Sequence, residues 1–579
     1  MRYVLLFLLW ATPCFASVQG DVALWLQLRK DSGVVRLSDA TTFLQRRPDW
    51  PQAELIRTHV EHMLLDSGAD DATLLRWFDE YPPQTDRGRL AYWKATHSSS
   101  YLRTIWRTGD LNRDQQQEVN RSVLSAADHA ARLDALLWQG NLDRATDALR
   151  YASGTTQQVA KARIALQRFA TNATTLVPRS QDEGLLFDQV RYYRQKDRNT
   201  QAIALLDRQP RTTQHEPQWA RERMILARRA FEKNDFKLAY RLASTHPFTT
   251  GEFFADAEWF AGWVATTRLH QPAKGFVHFE RMYKSVVSAI SSSRAAYWAG
   301  VAASQSGRAQ SATAWYKLAA RHMHTFYGQL AAYALGDPGA AYKAFFKRTA
   351  AIGNTVAVRS DLANAATILY QQGRDEERDL FLRVAFNQLK AQKQPEALIP
   401  LAKQLRSPQM ALLAAKTAYE NGLLLRDTLF PTIPVPRQPD LEKSLTHAIV
   451  RQESMFDKYA VSPAGAMGLM QLLPSTAAHT AWQCGIPHSR AAQLFDPQHN
   501  LRLGQAYLEK MLQRYDGFIP LAAAAYNAGP GNVDEWVATM GDPRTDPRDW
   551  VDWVERIPFY ETRNYVQRVW EAYSLYKVM

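Results

Sequence analysis

From about residue 20 to residue 425, apolar side chains recur three and four positions apart, and strand-like alternation is scarce. That spacing lines one face of a helix, so the chain is predicted to be mainly α. The helical runs are short. They break at Gln139-Gly140-Asn141, Lys196-Asp197-Arg198, Asn234-Asp235, His270-Gln271, Ser306-Gly307 and Gln372-Gly373. Four successive breaks, near 197, 235, 270 and 307, lie 38, 35 and 37 residues apart, the length of two antiparallel helices with their turns. Glu258-Trp259-Phe260-Ala261-Gly262 and Ala296-Tyr297-Trp298-Ala299-Gly300 repeat a large-large-small-Gly pattern. The small residues would let helices approach while the rings fill the space between them. One helix pair cannot bury its own apolar face, so the pairs should stack into a superhelix over residues 17–379, continued by a helical linker region over 380–436.

The pattern then stops. Four prolines between Phe430 and Pro439 cannot continue a helix and favour an extended, semi-rigid connector. A helical pattern resumes at Asp440, read as the residue that opens the helix, with Leu441, Leu445, Ala448 and Ile449 on one face. Residues 437–579 are therefore expected to form a separate α-rich domain with at most a small β element. Glu453 lies four residues beyond Ile449 and projects only about 40° from it around the helix. A carboxylate thus ends an apolar stripe, facing inward. The small-residue stretch Ser462-Pro-Ala-Gly-Ala-Met-Gly-Leu-Met-Gln471 would desolvate it if folded over it, raising its pKa as a general acid needs. The plain alternative is a buried glutamate paired with Arg451.

Composition narrows the picture. Apolar residues make up 46% and charged residues 22% of 579, which excludes a long disordered chain, and two cysteines exclude a disulfide framework or a Cys-based zinc cluster. Met1-Arg2, the apolar run 3–11 and Cys14-Phe15-Ala16 read as a secretory signal spanning residues 1–16. Pro13 makes Cys14 a poor lipid-attachment site, and Cys484 would remain as the one thiol, expected to be buried. The net charge is +13, yet Arg437 to the end holds 14 Lys+Arg against 16 Asp+Glu. The excess of base therefore lies before the connector. On an exported protein it points to an anionic wall polymer or lipid headgroups, with general solubility as the plain alternative, weak membrane association as a lesser reading and nucleic acid excluded. His59 with His62, and His322 with His324, lack partners for a metal site, so neither metal nor cofactor is expected.

Four motifs then occur in order: Arg-Gln-Glu453-Ser-Met-Phe, the 462–471 stretch, Ala525-Tyr-Asn-Ala-Gly529-Pro-Gly-Asn, and Ile557-Pro-Phe-Tyr-Glu561-Thr-Arg-Asn-Tyr-Val. Over roughly 440–579 the chain closely resembles the soluble lytic murein transglycosylases. Arg294-Ala-Ala-Tyr-Trp-Ala-Gly300 and Thr325-Phe-Tyr-Gly-Gln-Leu330 look like stretches of that family's helical domain.

The resemblance implies a goose-type-lysozyme-like catalytic domain, a periplasmic location, peptidoglycan glycan strands as substrate, and cell-wall synthesis or division proteins as further partners. It implies cleavage of the β-1,4 bond between N-acetylmuramic acid and N-acetylglucosamine with a 1,6-anhydro product, on Glu453 as the single acid/base. Ser462, Met470, Gln471, Tyr526, Asn527 and Glu561 are its implied substrate-binding residues. Asp457, one turn past Glu453, reads as a capping or pairing residue. A hydrolytic muramidase and a non-catalytic wall-binding scaffold are the competing readings.

Overall fold

The computed structural model describes residues 17–30, 35–108, 111–119, 123–545 and 550–579. The signal expectation for 1–16, Cys14 included, lies outside them. The described residues are helical almost throughout, and β structure among them amounts to the isolated bridges Val461–Met467 and Met467–Leu472. None of these helices is long and apolar enough to cross a membrane.

Every anticipated break is a tight turn between antiparallel helices. Helices Glu183–Gln195, Glu216–Glu232, Gly251–Thr267 and Ala289–Gln305 each pair with a shorter successor. The turns share one device. Gly140, Asp197, Asn234, His270, Gly307 and Gly373 all take left-handed φ, between 51° and 74°. The amide after such a residue then reaches back to the helix it has just left: Arg198 to Tyr193, Asp235 to Ala230, Arg308 to Ala303. This is a Schellman closure, which satisfies helix-end carbonyls. Asp, Asn and His replace glycine at three of the six positions.

The repeated glycines have a common cause. A Cβ on Gly262 would meet the Phe279 ring at 2.8 Å, and one on Gly300 would meet the Tyr316 ring at 2.6 Å. In each pair the second helix therefore lays an aromatic ring on a bare backbone of the first. Charge is also buried between helices: Arg163 donates to Asp188 at 2.8 Å and Arg194 clasps Glu222. Apolar periodicity gave no sign of these pairs.

The chain forms two compact units, one ending at Ser285 and one running from Val286 to Met579. The second unit contains the last helix pairs, the connector and all four motifs. The connector is extended, and it is tied down rather than free. His447 Nε2 accepts from the Ile433 amide at 3.1 Å, Tyr576 donates to the Pro431 carbonyl at 2.9 Å, and Gln505 donates to that of Pro436 at 3.2 Å. Within the same unit, buried Glu555 pairs with Arg294, and Glu571 accepts from the Phe326 amide at 2.9 Å. Both carboxylates thus find partners more than 240 residues away in sequence.

Candidate active site

The first helix after the connector runs Lys443–Glu453, so it opens three residues later than Asp440 suggests. Glu442 occupies its cap position without capping it and instead accepts from Tyr573 and Lys577. Leu445, Ala448 and Ile449 are buried as the stripe requires. Glu453 is the last helical residue. Beyond it Met455 and Phe456 both take left-handed φ, 50° and 68°, sparsely populated conformations for non-glycine residues. This reversal drops Phe456 into the core. Ser454 Oγ donates to the Leu469 carbonyl at 2.8 Å, fixing the helix end to the small-residue loop.

That loop is held from within and from outside. The Ser462 hydroxyl accepts from the Ala466 amide at 3.0 Å, closing a turn. Gln471 spends its amide nitrogen on the carbonyls of Ala460 and Gly468, both at 2.9 Å, leaving Oε1 as the atom it can offer a ligand. Buried Asn500 clamps the loop from the Pro497–Arg514 helix. It accepts from the Met470 amide at 2.8 Å and donates to the carbonyls of Met467 at 2.9 Å and Leu494 at 3.0 Å. Gly468, at φ 78°, has no room for a side chain, because a Cβ would sit 2.2 Å from the Leu494 carbonyl oxygen. Met470 is fully buried and packs against Gly504.

The helix Ile519–Ala528 supplies Tyr526, whose hydroxyl donates to the Met470 carbonyl at 2.8 Å. Asn527 Oδ1 accepts from Thr562 at 2.7 Å, tying this helix to the last one, Tyr560–Lys577. Glu561 stands exposed in the first turn of that helix. One turn further on, Tyr565 donates its hydroxyl to Glu453 Oε1 at 2.6 Å. The phenol that touches the acid is therefore Tyr565, whereas Tyr526 binds the loop beside it. Tyr565 lies inside the fourth motif, and its position four residues after Glu561 is the signal that points to it. Asn500 lies outside every motif and has no comparable signal.

The Glu453 carboxyl is half-buried, and its pKa is raised from the ordinary 4.5 to about 7. Loss of hydration is the main cause; the Tyr565 hydrogen bond opposes it, and the Glu561 charge adds to it. Burial and the neighbouring Glu453 charge hold both Tyr526 and Tyr565 well above the ordinary phenol range, so both remain donors. Arg451 does not pair with Glu453. Its guanidinium donates to the Leu429 carbonyl and lies 4.9 Å from the Phe430 ring centre. Asp457 accepts from the Tyr459 amide at 2.9 Å, a capping role, and burial raises its carboxyl. Cys484 ends the Pro474–Cys484 helix and is exposed, contrary to the buried thiol expected, because the helix's last turn faces outward. Among the described residues no three His, Cys, Asp or Glu side chains converge as a metal site.

The second unit therefore contains an α-rich region organised around one protonatable glutamate at a helix end, held by a tyrosine and joined through Ser454 to a small-residue loop. Residues 435–547 match the family described as Transglycosylase SLT domain. A soluble lytic murein transglycosylase of Salmonella typhimurium is 43% identical over 141 residues, and that of Escherichia coli K12 is 42% identical over 140. Each alignment covers 24% of this chain and 21% of the relative, so the matching segment spans about a fifth of these curated relatives' length. Over this segment the chain is similar to the soluble lytic murein transglycosylases. Its fold is shared more widely. The crystal structure of the 70 kDa soluble lytic transglycosylase from Escherichia coli covers 96% of this chain and 91% of its own, with TM-score 0.71 at 20% identity. That of an inactive glutamate-to-glutamine variant of the lytic transglycosylase Slt from Pseudomonas aeruginosa covers 96% and 92%, with TM-score 0.69 at 21% identity.

Proposed function

We propose that this protein is a periplasmic lytic transglycosylase that cuts peptidoglycan between N-acetylmuramic acid and N-acetylglucosamine, with residues 437–579 as its catalytic domain and 17–436 as its helical scaffold. The single observation that carries this reading is the Glu453 carboxyl, half-buried and titrating near neutrality. In the protonated form it donates to the glycosidic oxygen as the C1–O bond breaks, so the leaving sugar departs as an alcohol. The carboxylate then takes the proton from the C6 hydroxyl of the muramoyl residue. The C6 oxygen bonds to C1 and closes the 1,6-anhydro ring, which returns Glu453 to its starting state. One group near its pKa serves as acid and then as base.

Tyr565 and Tyr526, as persistent phenol donors, steady the carboxyl and the loop beside it. Ser462, Gln471 Oε1 and Glu561 are assigned to the substrate's hydroxyl and N-acetyl groups, while Met470 holds the loop and Asn527 keeps the Ile519–Ala528 helix in register with the last one. Mass spectrometry of soluble products from purified sacculi tests the assignment. Products should be lighter by one water than hydrolytic fragments, and hydrated ends alone would make the protein a muramidase. Glu453→Gln should lower turnover by about 10³-fold with unchanged circular dichroism; turnover like that of wild type rejects the role of Glu453.

A further inference from the structure

Three consecutive residues turn the chain after Glu453, and each is held by a different contact. Ser454 Oγ donates to the Leu469 carbonyl at 2.8 Å, and Phe456 is buried in the core. Met455, between them, is anchored from outside the motif-bearing segment. The Lys416 ammonium donates to its Sδ at 3.6 Å. Lys416 lies on the helix Pro408–Glu420, before the connector and 39 positions away. It is half-buried, and among the described residues it meets no carboxylate at contact distance. The charges that face it are Arg451 from the Glu453 helix, Arg568 and Glu571 from the last helix, and Glu420 on its own helix. Loss of hydration, with the two guanidiniums adding to it and the two carboxylates opposing, brings the ammonium from the ordinary 10.5 down to about 8.

We infer that Lys416 is a positioning residue for the proposed reaction, fixing Met455 and through it the left-handed reversal that sets where Glu453 points. The inference rests on the reading of Glu453 as the acid and base. Met455 holds φ 50°, a conformation that a non-glycine residue keeps only where its surroundings over-determine it. A methionine side chain is flexible and packs in many ways, so a donor aimed at its sulfur supplies the direction that packing alone does not. The electrostatics point the same way. The unfolded chain keeps this proton up to about pH 10.5 and the folded one only to about 8. The penalty on the fold is therefore full below pH 8 and gone above 10.5. An apolar side chain of equal length would fill the same space without that penalty. The charge is of use only through what it donates to, and that is the residue two positions after the acid. The helix before the connector thereby becomes part of the scaffold of the site.

Lys416→Met in the full chain tests the inference, because it keeps the length and removes the charge. At pH 7 the variant should melt no lower than wild type, yet kcat on purified sacculi should fall about tenfold while KM stays within about twofold. Met455→Leu, which keeps the shape and removes the acceptor, should give the same loss. The double variant should lose no more than either single one, as partners in one contact must. Hydrogen exchange reads the reversal without substrate. The Ser454 and Asp457 amides bond to the Val450 and Ser454 carbonyls at 3.1 and 3.0 Å, and in Lys416→Met they should exchange at least about tenfold faster. Unchanged kcat, a fall in kcat that tracks a fall in melting temperature, losses that multiply in the double variant, or unchanged exchange would each overturn the inference. The two readings fail separately. A wild type inert on sacculi removes the proposed activity, and the positioning contact then stands or falls on exchange. Anhydro products from wild type with undiminished kcat in Lys416→Met remove the positioning role alone.

Discussion

At the scale of single residues, the protonation of Glu453 links activity to stability. Burial moves its carboxyl from 4.5 to about 7, so between those values the folded protein holds a proton that the unfolded chain releases. The stability this group contributes is fully present below about pH 4.5 and is lost as pH rises through 7. Glu453→Gln carries no titrating group. It should match wild type in urea unfolding at pH 4 and exceed it by on the order of 2 kcal/mol at pH 8. Wild-type turnover should fall about tenfold per pH unit well above 7, as the acid form is depleted. Tyr565→Phe removes the one hydrogen bond that favours the ionised carboxyl. Its alkaline limb should move to higher pH, and kcat should drop about 10- to 100-fold. A limb that stays in place would show that Tyr565 only packs there.

At the scale of elements, close approach is decided by what is missing from a backbone. Gly262 and Gly300 sit under the rings of Phe279 and Tyr316. Alanine at either position must push a ring aside, at a cost of about 1–3 kcal/mol, readable as a lower denaturant midpoint. Gly468 is more demanding, since its obstruction is the Leu494 carbonyl rather than a movable side chain and its φ is positive. Asn500 makes two hydrogen bonds to the loop, to Met470 and Met467, and a third to the Leu494 carbonyl. Asn500→Leu should cost about 2–3 kcal/mol by leaving loop groups unmet, and should lower turnover as the loop tied to the end of the Glu453 helix loosens. Stability loss without any change in turnover would separate the loop from the chemistry.

For the whole molecule, the relevant fact is that the motif-bearing segment does not complete its own interior. Glu555 is fully buried and relies on Arg294, and Glu571 relies on the Phe326 amide. Removing one partner of a buried pair strands the other charge. Arg294→Ala should therefore cost about 3 kcal/mol or more, measurable by calorimetry. A fragment beginning at residue 437 should melt well below the full chain. Equal melting temperatures would mean that the helical region contributes no stability to the segment.

Helical character, the hairpin period, the turn positions and the inward Glu453 were legible in the sequence, because each follows from local rules: a 3.6-residue repeat, turn chemistry, and angle around a helix. Even the large-large-small-Gly repeat carried its packing meaning. Other features depended on residues far apart in the chain. Tyr565, not Tyr526, reaches the acid across 112 positions. Asn500 holds a loop thirty residues upstream. Arg451 turns to the connector instead of to Glu453, and Cys484 faces outward. Periodicity fixes the face of a helix. Which partner occupies that face, and hence whether a buried carboxyl meets a phenol or a guanidinium, is settled only when distant segments pack together.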